Sequence, residues 1–159
     1  MITAQHLDAL RKIWLNLENC PLPWVITGSL GMALQGVPVE VHDIDIQTDR
    51  DGAYEIERRL SEYVIQPVKY FVAEKICSHL GQLEIDGLRV EIIGGIQKLL
   101  DNQSWEEPII VERYMKWVEI YEMRIPVLEL EYEVEAYLKL GRVEKAAVLR
   151  KWLEKAQTG

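Results

Sequence analysis

The residues best suited to chemistry fall in three short stretches. In Val41-His42-Asp43-Ile44-Asp45-Ile46-Gln47 apolar and polar residues alternate as they do along a strand. That period puts Asp43 and Asp45 on one side, with about 6.6 Å between their Cα atoms, and His42, Ile44 and Ile46 on the other. Two carboxylates this close repel, and aspartate is a poor strand former, so a compensating cation is expected. Such a pair can hold one or two Mg²⁺ ions, hard cations that prefer oxygen ligands. Two ions about 3.5–4 Å apart would activate an attacking oxygen and stabilise a leaving one. The plain alternative is an exposed strand face carrying solvated acids.

Gly28-Ser29 closes the apolar run Trp24-Val25-Ile26-Thr27 and opens a helical stretch ending near Gln35. Glycine lets a phosphate approach the backbone closely, and free N–H groups there favour an anion. Taken alone, Ser29 reads more readily as an ordinary helix cap. In Leu88-Arg89-Val90-Glu91-Ile92-Ile93, Leu88, Val90 and Ile92 share one face and Glu91 points away from them. A third carboxylate facing the aspartates would find the metal; a salt bridge to Arg89 is the alternative.

These stretches need elements to position them. Thr3–Glu18 has the apolar spacing of an amphipathic helix, with Leu7, Leu10, Ile13, Trp14 and Leu17 on one face. Strands are predicted at 24–27, 39–48, 68–72, 82–85 and 88–93, the last two joined by an Asp86-Gly87 hairpin turn. A helix capped by Asp49 or Asp51 carries Ala53, Ile56, Leu60 and Tyr63. Helical segments are predicted at 96–100 and 109–121, with an extended 124–128 between them and the tail. The tail, from Glu131 to Ala156, reads as a helical hairpin broken at Gly141. This order predicts an α+β domain: a mixed β-sheet flanked by helices, residues 1–128, with a helical C-terminal segment, residues 129–159, packed on it as one compact unit.

The chain has 159 residues, 48% of them hydrophobic and 28% charged, enough for a core and a soluble surface. Its formal charge of −8 argues against non-specific binding to long nucleic acids. The two cysteines, Cys20 and Cys77, lie far apart and read as reduced thiols rather than zinc ligands. Met1–Leu17 is interrupted by Asp8, Arg11 and Lys12, unlike a signal peptide, and no run reaches the ~20 apolar residues that span a bilayer. A cytoplasmic location without membrane contact is expected.

In order, strand–Gly-Ser–helix, apolar-Asp-x-Asp-apolar and apolar-Glu-apolar resemble the nucleotidyltransferase superfamily with the DNA polymerase β-like core. The matching residues are Gly28-Ser29-Leu30-Gly31-Met32-Ala33-Leu34-Gln35-Gly36, His42-Asp43-Ile44-Asp45-Ile46 and Val90-Glu91-Ile92. The chain is most similar to the small stand-alone members, which are like the aminoglycoside and lincosamide adenylyltransferases. Ser78-His79-Leu80-Gly81 and Tyr137-Leu138-Lys139-Leu140-Gly141-Arg142 also match. The small members often carry an arginine shortly after Gly-Ser, where this chain offers Gln35.

The resemblance implies a nucleotidyltransferase fold and a metal-dependent enzyme that moves a nucleoside monophosphate, AMP, from a triphosphate to a hydroxyl acceptor, releasing pyrophosphate. Gly28 and Ser29 would hold the β- and γ-phosphates of ATP. Asp43 and Asp45 would hold Mg²⁺, with Mn²⁺ the alternative, and Glu91 would complete the metal site or act as base. The acceptor is a small molecule or a macromolecule, and its site could form across a homodimer. Of the tail cations Lys139, Arg142 and Lys145, Lys139 is the expected phosphate contact. His79 is a candidate for the substrate, balanced against a hydrogen-bonded structural role. His42 is expected to pack in the core. A rival reading is a catalytically weak domain that binds a protein partner, like antitoxin-type relatives of this fold.

Overall fold

A computed structural model describes residues 1–158; the final residue of the expected hairpin, Gly159, lies outside them. Helix α1, Ala4–Leu17, starts at Thr3, whose hydroxyl accepts the His6 N–H while the His6 ring accepts the Thr3 N–H. This reciprocal cap satisfies two backbone donors at once. Strand β1, Trp24–Thr27, is buried throughout and turns at Gly28 into α2, Gly28–Leu34. Strand β2, Ile44–Thr48, leads to α3, Arg50–Arg59, where Asp49 accepts the Gly52 N–H at 2.6 Å. Strands β3 (Val64–Val72), β4 (Ile76–Ile85) and β5 (Leu88–Lys98) follow. Asp86 and Gly87 both take positive φ, 53° and 79°, as the tight β4–β5 turn demands. Strands β6 (Met115–Ile120) and β7 (Met123–Leu128) then precede α4 (Leu130–Lys139) and α5 (Val143–Thr158), with Gly141 at φ 76° between the helices.

The strands form one mixed sheet in the order β3-β4-β5-β2-β1-β7-β6, parallel at β2/β5 and β1/β7 and antiparallel elsewhere. One face packs on α1 and α3 through Leu10, Ile13, Ile26, Ile46, Ile56 and Ile92. On the other, Val25, Ile96, Val111, Leu128 and Tyr132 form a second cluster. A third joins Met32 of α2 and Val37 to Leu130, Val134, Ala146 and Leu149 of the terminal hairpin. No helix is long and apolar enough to cross a membrane among the described residues.

The α+β class and the helical tail agree with the sequence reading, and three local expectations need correction. Strand β2 begins at Ile44 rather than Val39, because β1 is four residues long and pairs only with 45–48. Upstream, the His42 N–H turns aside to the Ser29 hydroxyl. Residues 96–100 are not helical: β4 reaches back to Ile76 and pairs with Lys98, drawing β5 onward. Nor is 109–121 a helix. It contains a short 3₁₀ turn, Val111–Tyr114, and then β6, paired with β7 along its whole length. The β6–β7 turn at Tyr121-Glu122 carries none of the usual turn residues, so nothing local announced a hairpin.

Candidate active site

Backbone register brings the acids together. Asp45 of β2 is the direct partner of Glu91 in β5 and of Thr27 in β1. Residues opposite one another in adjacent strands share a face, about 4.8 Å apart. Asp43 stands just before β2, exposed, and lines the same cavity as Asp45 and Glu91. Burial, together with the charges of Glu91, Asp43 and Glu133, pushes the Asp45 carboxyl up to about 7. Gln47, two residues on and on the same side, is buried with an Oε1 that has no hydrogen-bond partner among the described residues.

Gly28 is fitted to this place. Its φ is +67°, and a Cβ built on it would lie 2.5 Å from Asp45 Oδ2. No other residue allows the turn to press so closely on the carboxylate. The hydroxyl of Ser29 accepts the His42 N–H at 3.1 Å, which ties the turn to the segment carrying Asp43. The Gly28 N–H lies beside the carboxyl of Glu133 and favours its charge.

Glu133 was missed in the sequence. It lies on α4 at 5% exposure, and burial raises its carboxyl above the ordinary value while the hydrogen bond from Thr27 and the dipoles of Gly28 and Tyr137 pull it back. Its signal was there: Leu130, Glu133, Val134 and Tyr137 follow the i, i+3, i+4, i+7 pattern of a buried stripe, and a charged residue on such a stripe needs partners.

A cavity of 680 Å³ opens beside these groups. Gly28, Ser29, Asp43, Asp45 and Glu91 form one wall; Tyr137, Arg142 and Lys145 form another; Met32, Val37 and Leu149 supply an apolar side. His42 also lines it and is exposed, against the expectation of a core histidine, because strand geometry has not yet begun at that residue.

The cation facing the cavity differs from the one expected. Lys139 pairs with Glu106 at 2.9 Å and lines a separate 260 Å³ hollow with Tyr114 and Tyr132. Glu106 also meets the buried Lys98 at 3.3 Å. Arg142 and Lys145, just past the Gly141 break, face the cavity instead. His79 is not brought to the acids either. It pairs with Gly94, whose other neighbour is Thr48, on the α3 face of the sheet, where the Tyr54 hydroxyl meets its Nδ1 at 3.0 Å and Tyr70 packs on its ring. Gln35, at the position of the family's arginine, donates to the Gly31 and Leu128 carbonyls and braces α2 on β7.

Among the described residues no three His, Cys, Asp or Glu side chains are arranged as a ready metal cage. The donor set nonetheless fits a hard divalent cation: all-oxygen ligands lining a cavity, with Asp45 raised by burial and then by its acidic neighbours, and an orphaned oxygen on Gln47 two residues along.

A mixed sheet with paired acids beside a Gly-Ser turn defines a nucleotidyltransferase fold. Over 98% of this chain and 96% of its own, the Thermotoga maritima protein TM1012, whose nucleotidyltransferase assignment is provisional, is similar at 59% identity with a TM-score of 0.87. ANT(2'')-Ia, solved in complex with adenylyl-2''-tobramycin, shares the fold over 98% of this chain and 94% of its own, at 13% identity and a TM-score of 0.60. The lincosamide antibiotic adenylyltransferase LnuA, solved with lincomycin, matches 84% of each chain at 16% identity and a TM-score of 0.50. No curated protein matches in sequence. The pattern of the aminoglycoside-2''-adenylyltransferase family matches residues 9–150, and the chain belongs to that family.

Proposed function

We propose that this chain is a metal-dependent nucleotidyltransferase that moves AMP from ATP to a hydroxyl acceptor. One observation carries the reading: Asp45 and Glu91 are register partners beside the Gly28 turn, on the wall of a cavity of 680 Å³, in a chain of this family. Asp43, Asp45 and Glu91 would hold Mg²⁺ or Mn²⁺, and a bound cation supplies neutralisation of the charge that builds on the phosphate oxygens. Ser29 and the following backbone donors, with Arg142 and Lys145, hold the triphosphate. Glu91 accepts the acceptor's hydroxyl proton while its oxygen forms the new bond to the α-phosphorus. The bond from that phosphorus to the β-bridging oxygen breaks, and pyrophosphate leaves. Positioning and charge neutralisation supply most of the rate in such a transfer.

The cavity also suggests an acceptor class. With Asp43, Asp45 and Glu91 on the metal and Arg142 and Lys145 on the phosphates, Glu40 and Glu144 remain as acidic lining. An acceptor carrying ammonium groups beside its hydroxyls suits that lining. ANT(2'')-Ia, matched over nearly its whole length, is seen with an adenylylated tobramycin. The test is incubation with α-labelled ATP, Mg²⁺ and separate panels of aminoglycosides, lincosamides and cell extract. Label should pass to an acceptor with the wild type and not with Asp43→Ala. Equal transfer by both proteins, or none in any panel, would overturn the reading.

A further inference from the structure

Lys98, a cation whose charge acts on Glu133, is already engaged by Glu106 and the Tyr132 hydroxyl, each at 3.3 Å. The carboxyl accepts instead from the Thr27 hydroxyl, and the Gly28 N–H and the Tyr137 hydroxyl stand beside it as further neutral dipoles that favour its charge. They belong to the end of β1, to the turn and to the wall of the cavity, so one side chain on the terminal hairpin ties three parts of the site together. On its other side the turn meets Asp45, close enough that any Cβ on Gly28 would clash with Oδ2. The turn is therefore clamped between carboxyl groups from β2 and α4. A glutamine at 133 would offer one accepting oxygen and an NH₂ that opposes one of the donors.

We propose that Glu133 is a positioning residue for nucleotide binding: it fixes the Gly28 turn and orients Tyr137 in the cavity, so the phosphates are held well only when the terminal hairpin is docked. The ligand in this inference rests on the transferase reading, whereas the clamp does not. Wild type, Glu133→Ala, Glu133→Gln and Thr27→Val are titrated by calorimetry with a non-hydrolysable ATP analogue and Mg²⁺. Amide exchange at Gly28 is followed by NMR in the ligand-free proteins. Loss of the clamp in Glu133→Ala should raise Kd about tenfold, with glutamine recovering part of it and Thr27→Val losing about threefold. The Gly28 amide should exchange about tenfold faster in Glu133→Ala while Ile46 and Ile92 keep their rates. Wild-type Kd and wild-type Gly28 exchange in Glu133→Ala would overturn the proposal. Should that variant fail to fold, the same result in Thr27→Val overturns it. A wild type that binds no analogue sinks the transferase reading, and Gly28 exchange alone then decides the clamp.

Discussion

Replacing Asp45 by Asn should stabilise the protein in the absence of divalent metal. The folded carboxyl loses its proton only near pH 7, against an ordinary 3.8, first because it is buried and then because Glu91, Asp43 and Glu133 repel its charge. A carboxyl raised in this way favours folding only while it keeps its proton. Below pH 3.8 both states are protonated and the cost vanishes; from 3.8 to about 7 the unfolded chain gains by ionising while the folded chain does not; above 7 the cost is constant. At about 1.4 kcal/mol per pH unit the full difference is about 4 kcal/mol, a ceiling that residual solvent contact and relaxation reduce to about 2 kcal/mol. For a chain of this size that corresponds to a Tm about 4–8 °C higher for Asp45→Asn at pH 8 in EDTA. Calorimetric scans of both proteins at pH 8 and at pH 3.5 measure it, and the gap should close at the lower pH. Mg²⁺ should raise the wild-type Tm and leave the variant nearly unmoved. A variant equal to or less stable than wild type at pH 8 without metal would refute the electrostatic argument.

Gly28→Ala forces a Cβ toward Asp45 Oδ2 at a φ of +67°; destabilisation of about 1–2 kcal/mol in urea unfolding and at least tenfold weaker nucleotide binding are expected. Arg142→Ala and Lys145→Ala should each raise the nucleotide Kd about tenfold by calorimetry, while Lys139→Ala, whose ammonium is paired with Glu106 away from the cavity, changes it less than about twofold. The reverse ranking would mean that the phosphates lie elsewhere. His79→Gln should keep transfer within about twofold of wild type in the labelled-ATP assay, since the ring packs with Tyr54 and Tyr70 on the α3 face. A loss of activity well beyond that would bring the α3 face into the chemistry.

Readings tied to local geometry fared best. Asp49 caps α3, Asp86-Gly87 closes a hairpin and Gly141 splits the tail, because caps, tight turns and helix breaks are set by a few neighbouring residues. The segments 96–100 and 109–121 look helical in the sequence because short apolar runs fit either period, and only a partner strand chooses between them. Lys139 and Arg142 are three residues apart, yet they serve different hollows because the chain turns at Gly141 between them.

The sequence by itself determined which groups could act: the alternation around Asp43 and Asp45, the lone Glu91 among aliphatics and the Gly-Ser turn are properties of residue type and spacing. Tertiary structure decided which of them meet. The parallel β2/β5 pairing sets Asp45 opposite Glu91, 46 positions on in the chain, and the docking of α4 delivers Glu133 to a turn more than a hundred residues earlier. Long-range pairing is selected by burial of whole faces, a free energy shared among many residues and therefore written in no single motif.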